Sequence, residues 1–238
     1  MGKIFSIEFL IQCIPDILKG IPYTLVITFV SFALGLVIGF IGAMSKIYKI
    51  PVLSRITSVY VSFIRGTPLI VQIMLIYYAI PIFVRLINQW LGTNIDISWV
   101  PAIVFVLIAF SLSAGAYLTE SIRAMIQAID KSQIEAAYSV GMTTVQAMTK
   151  IILPQAIRVG LPVLMNFFIG LMKDTSLAFV AAVPEIMGQA KIVAGRGSRF
   201  FEAYIVAALI YWIICIILER VASVIEKRQQ KREEVGSL

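Results

Sequence analysis

Long apolar stretches alternate with short charged ones along this chain. From Gly20 to Met44 no Asp, Glu, Lys or Arg occurs. At about 1.5 Å per helical residue, these roughly 25 residues exceed the roughly 30 Å hydrocarbon core of a bilayer, and they predict a first membrane span. Further spans are predicted over Ile56 to Phe83, Pro101 to Thr119, Leu161 to Val183 and Glu202 to Leu218. Pro101 suits a first helical turn, where its missing N–H costs nothing. Before the spans, residues 1–19 mix Lys3, Glu8, Asp16 and Lys19 with apolar residues, which predicts a short interfacial helix. That segment has no uninterrupted apolar run before a small-residue cleavage site, so it does not read as a signal peptide. Residues 20–221 form the membrane domain, and 222–238 form a charged tail that reads as a solvated helix end.

Charge orients the pattern. Lys46, Lys49 and Arg55 crowd the connection after the first span, and positive residues concentrate on the cytoplasmic side. The chain is therefore expected to run N-out, C-in, as an all-α membrane protein of about five transmembrane helices. Asn88 to Ser98 becomes an external loop, with Arg85 and Asp96 in balance and Trp90 and Trp99 on either side as interface aromatics. Pro184 to Phe201 becomes an external return, amphipathic enough to lie over a pore as a gate helix.

Two polar interruptions stand inside the spans. Arg65-Gly66-Thr67-Pro68 places a cation and a helix breaker at membrane depth, which is costly unless it faces protein or water. A route to the cytoplasmic headgroups is the competing placement for Arg65. Lys173-Asp174-Thr175-Ser176 sets adjacent opposite charges and two hydroxyls in an apolar helix. On insertion scales each charge there costs about 2.5 to 3.5 kcal/mol, so the cluster is not expected to face lipid. Asp174 could meet an ammonium, Lys173 a carboxylate and the hydroxyls fix orientation; interhelix packing, or a place beyond the outer interface, is the alternative role. No second carboxylate stands one turn away, which weighs against a cationic side chain on a ligand. Gly35 and Gly39 form a GxxxG, which permits close helix approach.

Composition narrows the function classes. The chain has 238 residues, 60% of them hydrophobic and 14% charged, against roughly a quarter charged in soluble domains. Net charge is +7, but the basic residues are scattered over loops and tail with no aromatic interleaving, which argues against nucleic acid. There is no histidine, which removes the usual proton shuttle, metal ligand and triad base together. Cys13 and Cys215 are far apart in apolar surroundings and read as small buried hydrophobes. No metal site, catalytic residue or phosphate-binding GxxxxGK[ST] is expected, so nucleotide chemistry must come from another chain. A membrane enzyme is not supported. An ion-coupled secondary transporter would need proton relays and often inverted repeats, and neither is visible.

The polar stretch from Asp130 to Pro154 organises the rest. Glu135, Ala136 and Ala137 are followed by Gly141 and then by Ile151, Leu153 and Pro154. A small Ala-rich helix lets a partner approach closely, Gly141 is placed to end it, and Pro154 is placed to start the next helix. The spacing resembles the cytoplasmic loop signature of ABC importer permeases, EAA, three residues, G, nine residues, I, one residue, LP. A plain surface connector is the bland alternative.

Along nearly its whole length the chain is also similar to the polar amino acid permease family, known for histidine, glutamine, arginine and opine uptake. The residues that carry this are FIRGTPLIVQ at Phe63 to Gln72, Ala116-Tyr117 with Glu120, the loop motif, and LMKDTSL at Leu171 to Leu177. The resemblance implies a type I importer permease fold in a bacterial plasma membrane, working with a second permease subunit, identical or paralogous. It further implies a cytoplasmic ATPase dimer that binds ATP and magnesium, and an extracytoplasmic substrate-binding protein. Glu135 to Gly141 would be the coupling helix, and Thr67, Gln72, Lys173, Asp174 and Ser176 would lie near the transport path. The run KDTSLAFVAAVPE and the RFFEAYIVAALIYWII ending look most like cystine permeases; glutamine, histidine or arginine is the alternative cargo.

Overall fold

The structure, a computed structural model, describes residues 5–236, with side chains over 5–229. Among the described residues every regular element is helical. Five helical stretches are long and apolar enough to cross a membrane: Ile21–Ile47, Leu69–Leu91, Ala102–Gln127, Thr144–Ala181 and Phe200–Gln229. The five expected spans are therefore present, and an odd number of crossings puts the two ends of the chain on opposite faces.

The interfacial segment is α1 (Ile7–Leu18), started by Ser6, whose hydroxyl accepts the Phe9 amide. It carries a buried side, Cys13 and Ile17, against α9 (Ile186–Gly197) and α10 (Phe200–Gly236). Met1 to Ile4, and Ser237 and Leu238 of the tail, lie outside the described residues. Both cysteines are buried and free, in keeping with their reading as small hydrophobes.

The core is built on α2 (Ile21–Ile47) and α5 (Ala102–Gln127). Along α2, Thr24, Ile27, Thr28, Ser31, Gly35, Gly39 and Gly42 recur every three or four residues and are all buried. That is a stripe of mostly small residues on one helix face. A Cβ at Gly35 would lie 2.6 Å from Ala114 Cβ, and one at Gly39 2.8 Å from Leu118 Cβ. The GxxxG therefore does bring two helix backbones together, within the chain. At the cytoplasmic end Lys46 Nζ meets Glu120 Oε1 at 2.6 Å, and Arg123 holds the other carboxylate oxygen at 2.8 Å.

Several boundaries differ from expectation: the third span runs on past Thr119, to Gln127, and the fifth past Leu218, and three further differences have local causes. The second span is not one helix over Ile56 to Phe83: α3 (Pro51–Arg65) stops at Gly66, and α4 (Leu69–Leu91) makes the crossing. Pro68 is the reason, since it donates no amide and forces Thr67 out of helical geometry. Pro154 stands in the first turn of its α-helix, as expected, but that helix is not a fresh start: it continues a helical stretch that begins at Thr144, after a capping box in which Thr143 and Gln146 bond each other's backbone. The proline is tolerated because Met148–Ile152 is a π turn, with the Leu153 amide bonded to Met148 O, five residues back. For the same reason the fourth span starts well before Leu161.

Gly39→Leu should overpack the α2–α5 contact and cost about 1–3 kcal/mol, read as a lower thermal midpoint in detergent. Gly195→Ala, in α9, where a Cβ meets nothing within 4 Å, is the matched control and should be neutral or slightly stabilising. Equal midpoints for both variants would mean that α2 and α5 are not held at close approach.

Candidate functional site

The break between α3 and α4, beside the membrane-length segment Leu69–Leu91, leaves carbonyl groups without helical partners. Gln72 satisfies them. Its amide nitrogen donates to Ile64 O at 2.7 Å, to Thr67 O at 3.0 Å and to Thr67 Oγ1 at 3.1 Å, and the Thr67 hydroxyl donates to Phe63 O at 3.0 Å. Thr67 and Gln72, expected near the transport path, are thus brought together as the seal of the kink, with Gln72 buried. Arg65, just before the kink, is exposed and sits over the Tyr117 ring, 5.5 Å from its centroid. Tyr117 in turn lies 6.3 Å from the Phe167 ring, and Phe167 6.4 Å from Phe32. An aromatic band with one cation therefore crosses the middle of α2, α5 and α8 (Leu153–Asp174).

Lys173 and Asp174 stand at the far end of α8, where the chain tightens into a 3-10 segment, Thr175–Ala181. Thr175 is buried and donates to Met172 O at 2.7 Å, while Ser176 is half-buried. Lys173 and Asp174 are exposed, and among the described residues no hydrogen bond or ion pair engages either. No direct bond joins them to Thr67 or Gln72. The two groups are linked only through packing: Ile73 of α4 and Leu177 and Ala178 of the 3-10 segment belong to one apolar cluster.

In the cytoplasmic loop, α6 (Lys131–Ser139) is capped by Asp130, which accepts the Ser132 amide at 2.8 Å. It ends in a Schellman motif: the Met142 amide reaches Ala137 O at 3.1 Å, the Gly141 amide reaches Tyr138 O at 3.0 Å, and Gly141 has φ +79. Gly141 therefore ends the helix by a left-handed turn that other L-residues rarely adopt. Ala137 is buried, and Ile134 packs into the main core. Glu135, Ala136 and Gly141 face outward, as do the apolar Tyr138, Val140 and Val145. Of the later motif residues Ile151 and Leu153 pack on the core, and Pro154 is exposed.

The sequence reading missed Glu185. It treats this residue as part of an external loop, whereas the side chain is fully buried and starts α9. Its carboxylate accepts from the Gly188 amide at 2.7 Å, the Met187 amide at 2.9 Å and the Tyr211 hydroxyl at 2.6 Å. The adjacent Ile186 amide donates to Thr24 Oγ1 at 3.4 Å. Burial pushes the Glu185 carboxyl up, and these donors pull it back. The cluster ties α9 to α2 and α10. The available signal was an acidic residue immediately before a short apolar helix, a favoured cap.

Five membrane-length helices, a polar kink closed by Gln72 beside one of them and a loop with apolar residues turned outward are the features that a family assignment has to accommodate. Residues 35–231 match the family described as binding-protein-dependent transport system inner membrane component, and the chain belongs to it. It is 43% identical to a probable amino-acid ABC transporter permease protein, PatM, of Vibrio harveyi, over 91% of this chain and 93% of that one. It is also 43% identical to the L-cystine transport system permease protein TcyB of Bacillus subtilis (strain 168), over 90% of this chain and 86% of that one. A solved amino acid ABC transporter with histidines has the same fold, with a TM-score of 0.79 and 35% identity over 94% of this chain and 100% of its own. The protein is a polar amino acid ABC importer permease, a multi-pass inner-membrane subunit that works with an ATPase and a binding protein. It is not itself catalytic, and ATP is bound by the separate ATPase subunit.

Glu185→Gln keeps volume but sets an NH2 group against one of the amide donors. The expected loss is about 1–3 kcal/mol, read as a lower unfolding midpoint and faster proteolysis between α9 and α10. An unchanged midpoint would remove the cluster from the structural role given to it.

Proposed function

We propose that the chain is the permease for L-cystine, with glutamine, histidine or arginine as the competing cargo. The observation that carries a zwitterionic ligand is the outer end of α8: Lys173 and Asp174 are exposed and, among the described residues, without a bonded partner. A lysine left without an internal anion is free for a carboxylate, and an aspartate for an ammonium. Ser176 supplies a hydroxyl beside them, and Thr67 and Gln72 shape the kink on the neighbouring helix. Cystine is favoured over arginine because α8 offers no further carboxylate near Asp174, and the resemblance to the Bacillus subtilis cystine permease points the same way.

Glu135, Ala136, Ala137, Gly141, Ile151, Leu153 and Pro154 form the ATPase-coupling segment in this reading. Support comes from the outward apolar residues of the loop, which exposure to water leaves unsatisfied and a cleft in an ATPase would cover. A second permease subunit, identical or paralogous, completes the path. ATP-driven closure of the ATPase pair pulls on the two loops and favours the outward-facing arrangement, and hydrolysis resets it. Reciprocity then requires a loaded binding protein to stimulate ATP hydrolysis.

The first test is ATP hydrolysis by the assembled transporter in lipid, with the binding protein loaded with cystine, glutamine, histidine or arginine. Cystine alone should stimulate strongly; stimulation by another amino acid only would transfer the assignment to it. Asp174→Asn should lower uptake at least about tenfold with assembly intact. Uptake at the parental rate would reduce the pair to a packing element. Gly141→Val forces a β-branched residue into φ +79; membrane insertion should persist while uptake is lost, and normal ATP-driven uptake would sink the coupling role.

A further inference from the structure

At the outer end of α4 a cleft of about 500 Å³ opens between α4, the loop after it and the start of α5. Tyr77, Tyr78, Arg85, Asp96, Ser98 and Phe105 are among its walls. Arg85 and Asp96 bring opposite charges to this one cleft, yet no ion pair joins them among the described residues. Among the described residues the Asp96 carboxylate is engaged only by its own turn: the Ser98 amide donates to it at 2.8 Å and the Ser98 hydroxyl at 2.9 Å. Those bonds hold its carboxyl below the ordinary value, so it stays ionised, and its remaining lone pairs are open. Arg85 has no hydrogen-bond or ion-pair partner among the described residues.

The depth of the cleft is set by its flanks. Trp90 is 91% exposed and Trp99 76% exposed, the placement of aromatic residues at headgroup level. Along α4, Tyr78, Ile82, Phe83 and Leu86 are exposed and apolar, so an acyl chain leaving the cleft would have a matching surface to lie on. A guanidinium at an interface that finds no anion in its own protein is poised to take a phosphate, which matches its fork of donors. A carboxylate in the same cleft calls for a cation on the same ligand. A ligand with a phosphate, a nearby primary amine and hydrocarbon tails satisfies all of these at once, and its zero net charge matches a site whose two charges cancel.

We propose that this cleft binds the headgroup of an aminophospholipid of the outer leaflet, with the phosphate on Arg85 and the ammonium on Asp96. A purely anionic headgroup leaves Asp96 facing negative charge. A quaternary amine cannot donate hydrogen bonds to Asp96. The site should therefore rank phosphatidylethanolamine above phosphatidylcholine and phosphatidylglycerol. The amino acid cargo lacks both the phosphate and the tails, and should not compete.

The test is lipid retention by the assembled transporter, taken from mixed vesicles of the three lipids and weighed intact by native mass spectrometry. Phosphatidylethanolamine should be retained about tenfold over the other two. The preference should fall to parity in Arg85→Gln and in Asp96→Asn, with ATPase copurification unchanged because both side chains are exposed. Quenching of tryptophan fluorescence by brominated phosphatidylethanolamine, greater than by brominated phosphatidylcholine, gives a second readout on the parental protein. Equal retention of all three lipids, an undiminished preference in both variants, or displacement of the lipid by free amino acid would each overturn the proposal. So would protection of the cleft by the loaded binding protein in place of lipid, which would make it a protein-docking surface.

Discussion

Everything in this subunit is referred to the close contact between α2 and α5. Hydrophobic burial gives little drive for helices to associate inside lipid, since hydrocarbon is as apolar as leucine. What remains is van der Waals attraction, which falls off steeply with distance and rewards bare backbone. Gly35 and Gly39 supply it, admitting Ala114 and Leu118 at distances that a methyl group would forbid. Once that pair is fixed, α3, α4 and α8 have a rigid wall to lean on. The aromatic band at Tyr117 and Phe167 falls across the middle of it. The ion pairs of Glu120 with Lys46 and Arg123 tie its cytoplasmic end.

A second principle is the treatment of interrupted backbone. The chain breaks its own helices at Gly66 to Pro68 and again at Ala182 to Glu185, both beside membrane-length segments. Each break is answered by one long polar side chain. Gln72 takes the orphaned carbonyls of the first, and Glu185 takes the orphaned amides of the second. The choice of residue follows the sign of the exposed dipole: carbonyls require a donor, amides require an acceptor. A side chain that closes such a gap cannot be exchanged without exposing the group it covers.

Much of this was legible from residue order alone. Spans announce themselves by length and by absence of charge, and orientation follows from Lys46, Lys49 and Arg55. The turn at Gly141 was legible because a left-handed residue has few chemical solutions. The interruption at Pro68 was visible too, yet a hydropathy window runs through it and fuses two helices into one span. Pro154 was legible as the first turn of an α-helix, but the helical stretch leading into it was not. Proline forbids an ordinary α-helical bond, but a π turn moves the bond by one residue and the helix survives. Glu185 was hidden because its partners come from afar: Thr24 adjoins it through Ile186, and Tyr211 is most of a helix away. Local pattern could announce Glu185 as a cap, but not the partners that two other helices bring to it.

The continuity of the rod from Thr144 to Ala181 has a mechanical meaning. Its base is the loop that faces the cytoplasm, and Lys173 and Asp174 lie toward its other end. At about 1.5 Å per residue Thr144 and Asp174 are about 45 Å apart. With the base as pivot, a tilt of about 5° sweeps the tip through about 4 Å, comparable to the width of a small side chain. The π turn sits near the pivot, where helical bonds are already shifted and bending is cheapest. The protein thus carries a lever with its soft point at the short end, so small displacements at the base arrive magnified at Lys173 and Asp174.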